Sequence, residues 1–116
     1  MDKVVDKLVG LGVAGLVLLF VIWSVGLPGA AAIVAALALL GGPFGMLGGI
    51  AVFGIMSLVA SAITKYGIEK LAPAVVKGLL DEGQSKESLK CSVNKIPDFI
   101  ISKDLKRKII RYINEN

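Results

Sequence analysis

Charged residues are missing from half of this chain. Between Lys7 and Lys65 there are 57 consecutive positions, in a protein of 116 residues, without an Asp, Glu, Lys or Arg. A soluble domain of this size has charge on roughly a quarter of its residues and spreads it over every surface helix. The gap therefore predicts that residues 8–64 lie in a lipid bilayer.

Histidine is absent, and Cys91 is the only cysteine. The chain therefore cannot form an internal disulfide, a zinc cluster, or a Ser/His or Cys/His catalytic pair. Outside the uncharged block, only 7 N-terminal residues and 52 residues from Lys65 onward remain for aqueous structure, too few for an enzyme-sized core. We expect no enzyme activity, no cofactor and no metal site.

The first predicted span runs from Leu8 to Leu27. Thirteen of its residues are Leu, Val, Ile or Phe, and each favours insertion by about 0.3 to 0.6 kcal/mol, so a sum of roughly 4 to 8 kcal/mol outweighs the glycines. At 20 residues the run is longer than a signal-peptide core of about 7 to 15, so we expect it to be retained. Trp23 is expected near the far interface, and Pro28 with Gly29 is expected to end the helix.

The rest of the uncharged block divides into a short and a long apolar segment. Residues 30–40 are Ala-rich and, at 11 residues or about 16 Å as a helix, too short to cross. We expect a short helix there, either interfacial or re-entrant. A second span is predicted over 44–64, with Pro43 at its first turn. In the alternative, residues 30–64 form an inserted hairpin that does not fully cross.

Together these segments predict an all-α integral membrane protein with two transmembrane helices, a short apolar helix between them and a small cytosolic helical tail. Residues 1–7 form a short N-terminus, 8–64 the membrane domain and 65–116 the tail. The tail holds eleven Lys or Arg against seven Asp or Glu, and so contains the net charge of +4. By the positive-inside tendency we expect it in the cytoplasm, with the N-terminus on the same side of the inner membrane.

Three amphipathic helices are predicted in the tail. The first covers about 66–80, is interrupted by Pro73 and is closed by Gly83. The second covers 86–95. The third covers 103–113, with Ser102 as its N-cap and Asp104 in its first turn.

Small residues of the second span lie on two opposite helix faces. At 100° per residue, one face holds three glycines and the other a glycine with two serines: Gly45, Gly48 and Gly49, and Gly54, Ser57 and Ser61. In lipid such faces let helices pack closely, so we expect them to mediate homo-oligomerisation, with a ring as one product. In the alternative, one face packs only on the first span of the same chain.

The last predicted helix combines an apolar stripe with basic residues, which are the candidates for binding lipid or a partner: Lys103, Lys106, Arg107, Lys108 and Arg111. Three interpretations stay open. The helix lies on an anionic leaflet, docks its stripe onto the preceding short helix, or receives a cytosolic protein or acidic ligand. Nucleic acid is the least favoured partner, because the tail has no glycine-rich loop or aromatic stacking platform.

The charge-free block punctuated by glycine and proline, followed by a basic tail, resembles the hydrophobic hairpin of colicin-like pore-forming domains and the small membrane effectors of bacterial phage-defence systems. The resemblance covers residues 8–64 and rests on composition rather than on a motif. It implies membrane permeabilisation. No ionisable residue lies inside the block, which argues against a proton relay or a selective carrier and favours a leak.

These patterns lead to three functional hypotheses. The first is a small oligomeric membrane-permeabilising protein, such as a toxin-like or anti-phage defence effector, whose tail binds a partner or regulator. The second is a non-conducting membrane anchor or assembly subunit of a larger complex. The third is a phage holin.

Overall fold

The computed structural model describes residues 2–39 and 50–116. Within these two ranges the regular secondary structure is entirely helical, as the sequence predicts. There are six helices: α1 (Asp2–Gly10), α2 (Val13–Leu39), α3 (Ile50–Tyr66), α4 (Ile68–Asp81), α5 (Lys86–Asn94) and α6 (Lys103–Glu115).

The predicted first span, 8–27, is not a single helix, so its boundaries were wrong. α1 ends at Gly10 and a new helix begins at Val13, which leaves Leu8 in α1, where its side chain is fully buried. Among the described residues, one helical stretch is long and apolar enough to cross a bilayer, Val13–Ile33. The second predicted span is not confirmed: α3 begins at Ile50 and has 17 residues, and positions 44–49 lie outside the described ranges.

α2 is broken at Gly26 rather than at Pro28 and Gly29. Gly26 has φ 74° and ψ 176°, a backbone conformation that residues other than glycine rarely adopt. Pro28 then lies in the first turn of the helical stretch that follows, where the missing N–H has no partner to lose. We call residues 13–22 the inner segment of α2 and residues 27–39 its outer segment. The predicted short helix at 30–40 is the larger part of the outer segment, and residue 40 lies outside the described ranges.

The inner segment is the centre of the hydrophobic core. All ten of its residues are buried, and α1, α4, α5 and α6 all contact α2. Each of these covering helices is amphipathic, with one apolar face available for the core. α4 shows the pattern most fully and buries Ile68, Leu71, Ala72, Val75, Val76 and Leu79. We call the inner segment with α1, α4, α5 and α6 the helical module. α3 packs on this module, because it contacts α1, α2 and α4 and buries Met56, Val59 and Ala62 in the same core.

The ends of the tail helices confirm the sequence predictions, but the interruption predicted at Pro73 was wrong, because α4 continues through that residue from Ile68 to Asp81. α4 ends at Asp81, and beyond it the amide of Gln84 donates to the carbonyl of Leu79 at 3.2 Å, across Gly83, in a Schellman-type closure. α6 begins at Lys103, and the Ser102 hydroxyl accepts from the amide of Leu105 at 3.2 Å. Both helix ends therefore follow from local side-chain and turn chemistry.

α6 docks onto the protein instead of lying free on a leaflet. It contacts α5, α2 and α4, and its apolar stripe, Leu105, Ile109 and Ile113, is buried. This confirms the docking interpretation of the tail. It also ties the end of the chain to the apolar block near its beginning.

Candidate membrane interface

The most apolar stretch in the described part of the chain is only partly covered by protein. Val13–Ile33 has 21 residues and a mean hydropathy of 2.3, and 44% of its most apolar window is buried. As a helix it would extend about 31 Å, the thickness of the hydrocarbon core. The core helix of a soluble protein can have this length and composition too, but such a helix is mostly buried.

The burial of α2 by the other helices ends abruptly near Trp23. From Val13 to Ile22 no apolar side chain is more than 7% exposed. Beyond this point Trp23, Val25 and Leu27 are 37%, 45% and 37% exposed. In the outer segment Ala30 is the one buried side chain among those that the structure describes. One continuous apolar sequence therefore has two different surroundings.

Trp23 marks the change and is held by α6. The ammonium of Lys108 lies 5.1 Å from the centroid of its ring, within the range of a cation–π interaction. The buried ring of Phe20 lies 6.1 Å from Trp23 in an edge-to-face arrangement and 5.5 Å from the ring of Tyr112. The sequence predicts Trp23 at the interface far from the tail, whereas in the structure Trp23 lies against the tail helix α6.

A second aromatic side chain with a cation lies where α3 ends. The ammonium of Lys65 is 5.3 Å from the ring centroid of Tyr66. Hydrogen bonding to cationic groups lowers the pKa of the Tyr66 hydroxyl. Aromatic and basic side chains in combination are typical of the boundary between membrane and water.

The predicted packing residues on α3 are exposed. Gly54, Ser57 and Ser61 all face away from the core, and Leu58 beside them is 44% exposed. A Cβ atom built on Gly54 would meet nothing within 4 Å. The other predicted face, Gly45, Gly48 and Gly49, lies outside the described residues. The role of both faces in self-association stays a prediction.

Lys106 differs from the other basic residues of α6. Its residue surface is 8% exposed, and its ammonium donates to the carboxylate of Asp98 at 2.7 Å and also to the carbonyl of Ile96. Lys106 first, and then Lys103, hold the pKa of Asp98 below its ordinary value. The side chain predicted to bind lipid or a partner is therefore occupied in joining α6 to the loop after α5.

The remaining basic residues of α6 are exposed. Lys108 covers Trp23, as described above, and Arg111 lies 5.7 Å from the ring centroid of Tyr112. Lys103 lies 3.8 Å from Asp98, and Arg107 lies 3.5 Å from Asp104. These exposed ion pairs contribute little to the stability of the fold, so Lys103 and Arg107 can exchange partners at a low cost in free energy.

One surface cleft lies beside these ion pairs. It has a volume of about 270 Å³ and is lined by Asn94, Asp98, Lys103, Lys106, Arg107 and Ile110. The one carboxylate that lines this cleft, Asp98, is already paired with Lys103 and Lys106. In the described part of the chain no three His, Cys, Asp or Glu side chains come together in a way that would hold a metal ion.

Sequence reasoning found the amphipathic helices but missed the contact between α6 and Trp23. Lys108 and Trp23 are far apart in the chain, and the identity of either residue does not predict a contact with the other. The one available signal for Lys106 was its position inside the apolar stripe of α6, which is where a buried, paired lysine has to lie.

The chain matches no family model, no curated protein and no solved structure.

Proposed function

We propose that this chain is a small protein of the cytoplasmic membrane that inserts its apolar region into the bilayer, self-assembles there and permeabilises the membrane, as a toxin-like or defence effector would. The observation that supports insertion is the uncovered apolar surface beyond Trp23. Keeping such surface in water costs about 25 cal/mol for each Å². A bilayer removes that cost without any partner protein.

The chemistry of the uncovered region favours a leak over a selective pathway. Residues 27–64 contain no ionisable side chain, and the exposed polar groups on α3 are hydroxyls, those of Ser57, Ser61 and Thr64. A path lined by hydroxyls, backbone carbonyls and apolar side chains has no charged ring to choose between ions. In this proposal the second membrane segment is the predicted span over residues 44–64, of which the structure describes the part from Ile50 onward as α3.

Self-assembly is proposed through the exposed small-residue face of α3. Apolar surface alone does not drive association in lipid, and close backbone approach at glycine and serine does. Gly54 has open space around its Cα, so a neighbouring helix can reach it. In the assembled protein the helical module lies on the cytoplasmic side, where Arg107 and Arg111 stay available for anionic headgroups or for a regulator.

Induced expression with a membrane-potential dye tests permeabilisation. We expect the potential to collapse for the natural chain and to be retained for Gly54→Leu, because the added side chain holds the helices apart. Gly10→Leu is the matched control: Gly10 also has open space around its Cα but lies on α1, so its replacement should leave the leak intact. An unchanged potential at high, inserted expression of the natural chain contradicts the proposal.

The main competing function is a non-conducting membrane anchor. The closed helical module supports it, because a folded cytosolic unit beside a membrane segment is what an assembly subunit presents to a larger complex. Purification in mild detergent separates the two. A homogeneous self-assembly supports permeabilisation, and a fixed heteromeric partner supports the anchor.

A further inference from the structure

Two contacts set the direction of α6 relative to α2. The ring centroids of Tyr112 and Phe20 lie 5.5 Å apart, and the ammonium of Lys108 lies 5.1 Å from the ring centroid of Trp23. Because the earlier residue of α6 meets the later residue of α2, the two helices run in opposite directions. From Lys108, α6 extends about 7.5 Å further toward its first residue, Lys103. α6 therefore begins toward the end of the molecule where the burial of α2 by the other helices ends.

α5 and α6 form an antiparallel pair. The ammonium of Lys90 in α5 donates to the side-chain oxygen of Asn114, near the end of α6, at 2.9 Å. At the opposite end of the pair, Asn94 of α5 lines the same cleft as Lys103, the first residue of α6. The loop between the two helices, residues 95–102, is called the tip loop here. It lies toward the same end of the molecule as the uncovered apolar surface of α2.

The tip loop holds an aromatic side chain out in water. Phe99 is 86% exposed, against 45% for Val25, the next most exposed large apolar side chain in the described part of the chain. On either side of Phe99 the side chains of Ile96 and Ile101 are buried, and the amide of Ile101 donates to the carbonyl of Pro97 at 3.2 Å. The loop is therefore anchored on both sides, and Phe99 would have to give up these contacts to reach the core.

Basic residues outnumber acidic ones around Phe99. Residues 95–107 contain four Lys or Arg against two Asp. Both carboxylates are paired within the chain, that of Asp98 with Lys106 at 2.7 Å and that of Asp104 with Arg107 at 3.5 Å. The other two basic residues of this range are exposed lysines. An exposed phenyl ring beside surplus positive charge suits an anionic leaflet, because the ring is favoured at the boundary with the acyl chains and the amines reach the phosphates.

We infer that the tip loop is a second lipid-binding element of this protein, which places the ring of Phe99 between the headgroups of an anionic leaflet while the neighbouring lysines contact phosphates. The inference rests on the proposed membrane function, to which it adds a lipid class and a binding residue. The tip loop and the uncovered surface of α2 lie toward the same end of the molecule. One membrane surface can therefore contact both without any helix leaving the core.

Quenching by lipids brominated near the top of the acyl chain tests whether the tip loop enters the leaflet. Trp23 is the only tryptophan, so Phe99→Trp in a Trp23→Phe background carries a single probe in the tip loop. Ser88→Trp in the same background is the matched control, at an exposed position of α5 away from the tip loop. In vesicles that contain phosphatidylglycerol, we expect the probe at position 99 to be quenched several times more strongly than the probe at position 88.

The role of charge is tested with the same probe at position 99. Lys95→Gln with Lys103→Gln removes two exposed lysines at the tip loop and should weaken the quenching in anionic vesicles. Lys86→Gln with Lys90→Gln is the matched control, because it removes the same charge near the opposite end of α5 and should leave the quenching unchanged. Vesicles of phosphatidylcholine alone should quench the probe less than the anionic vesicles do.

Equal quenching of the probes at positions 99 and 88 overturns the inference, and so does quenching that is the same in both kinds of vesicle. A blue shift of the probe at position 99 that grows with protein concentration in detergent would mean that a second copy covers Phe99, and overturns it too. Dye release from the same vesicles reports on the proposed function separately. Release without quenching at position 99 retains permeabilisation and refutes the tip loop, whereas quenching at position 99 without release does the reverse.

Discussion

The inner and outer segments of α2 belong to the same uncharged sequence, and only one of them is covered by the rest of the protein. The inner segment is built mainly of Leu, Val, Ile and Phe, which fill a core on every side. The outer segment is rich in alanine, and the described side chains other than Ala30 keep some exposure. Bulky apolar residues thus lie where protein surrounds the helix, and small ones where lipid is proposed to do so.

The difference shows that hydropathy cannot tell a protein interior from a bilayer. Both environments reward the same apolar side chains, and a helix that is apolar all round suits either one. The deciding information lies elsewhere in the chain, in α1, α4, α5 and α6. Their apolar faces need a partner, and the inner segment supplies it.

The largest expected effect on stability comes from removing a buried side chain of the inner segment. Phe20→Ala removes a fully buried ring that contacts two aromatic neighbours, and should lower the free energy of unfolding by about 3 to 5 kcal/mol. Leu27→Ala, at a 37% exposed position of the outer segment, should change it by less than about 0.5 kcal/mol. Denaturant unfolding of both variants in mild detergent, followed by circular dichroism, compares them. Equal losses would mean that the two segments have the same surroundings.

A disulfide across the helical module should stabilise it. A Cβ on Gly78 would lie 3.6 Å from the Cβ of Val9, which is a normal disulfide separation. In a Cys91→Ser background, Val9→Cys with Gly78→Cys should therefore form a bond between α1 and α4 and raise the free energy of unfolding by about 2 to 4 kcal/mol.

Binding of this cross-linked protein to vesicles, with and without reductant, sharpens the comparison. We expect no dependence on reductant, because the proposed insertion uses the uncovered apolar surface beyond Trp23, which the bond between α1 and α4 does not cover. Val9→Cys alone serves as the control for the added thiol. Binding that begins only after reduction would mean that the module opens to release the inner segment.

The close approach of α1 and α2 gives a smaller effect. A Cβ on Gly15 would overlap the carbonyl oxygen of Leu8, so Gly15→Ala has to push the two helices apart at a cost of about 1 to 3 kcal/mol. Gly54→Ala, in open space on α3, should leave the unfolding free energy the same or slightly higher. Thermal unfolding of the pair in detergent measures this, and a tolerated Gly15→Ala would contradict the packing described here.

The smallest expected effect on stability concerns the ion pair between Asp98 and Lys106, and it depends on pH. Because the pKa of Asp98 is lowered in the folded chain, its carboxylate stabilises the fold above pH 4 and stops doing so as the pH falls through that lowered pKa. Asp98→Asn should therefore be less stable than the natural chain at pH 7, and the gap should close in acid. Lys106→Met is the control, since it leaves no buried ammonium and should lose less at pH 7. A gap that is constant down to pH 2 would refute the role of the pair.

Much of the fold follows from the sequence, and the reasons differ between regions. The ends of α4 and α6 could be predicted because Gly83 and Ser102 act within one turn of their own helix. The break between α1 and α2 and the kink at Gly26 could not, because glycines are spread through the whole apolar block, and others such as Gly15, Gly29 and Gly54 lie inside helices. Which of these glycines interrupts a helix depends on how the helices pack against one another.

The candidate interface was predictable in kind but not in detail. The uncharged block indicates a bilayer, yet only the folded chain shows which part of it remains uncovered. The burial of Lys106 and the position of Trp23 depend on how α6 docks, and this is set by long-range contacts. No local pattern around residue 23 contains that information.

Contacts between lipid acyl chains and individual methyl groups test the division of α2 most directly. In nanodiscs, nuclear Overhauser effects between acyl methylenes and leucine methyls can be observed residue by residue. The account predicts cross-peaks for Leu27 and Leu58, and none for Leu16, Leu18 and Leu19. Acyl contacts at the three inner leucines, with or without contacts at the other two, would contradict it.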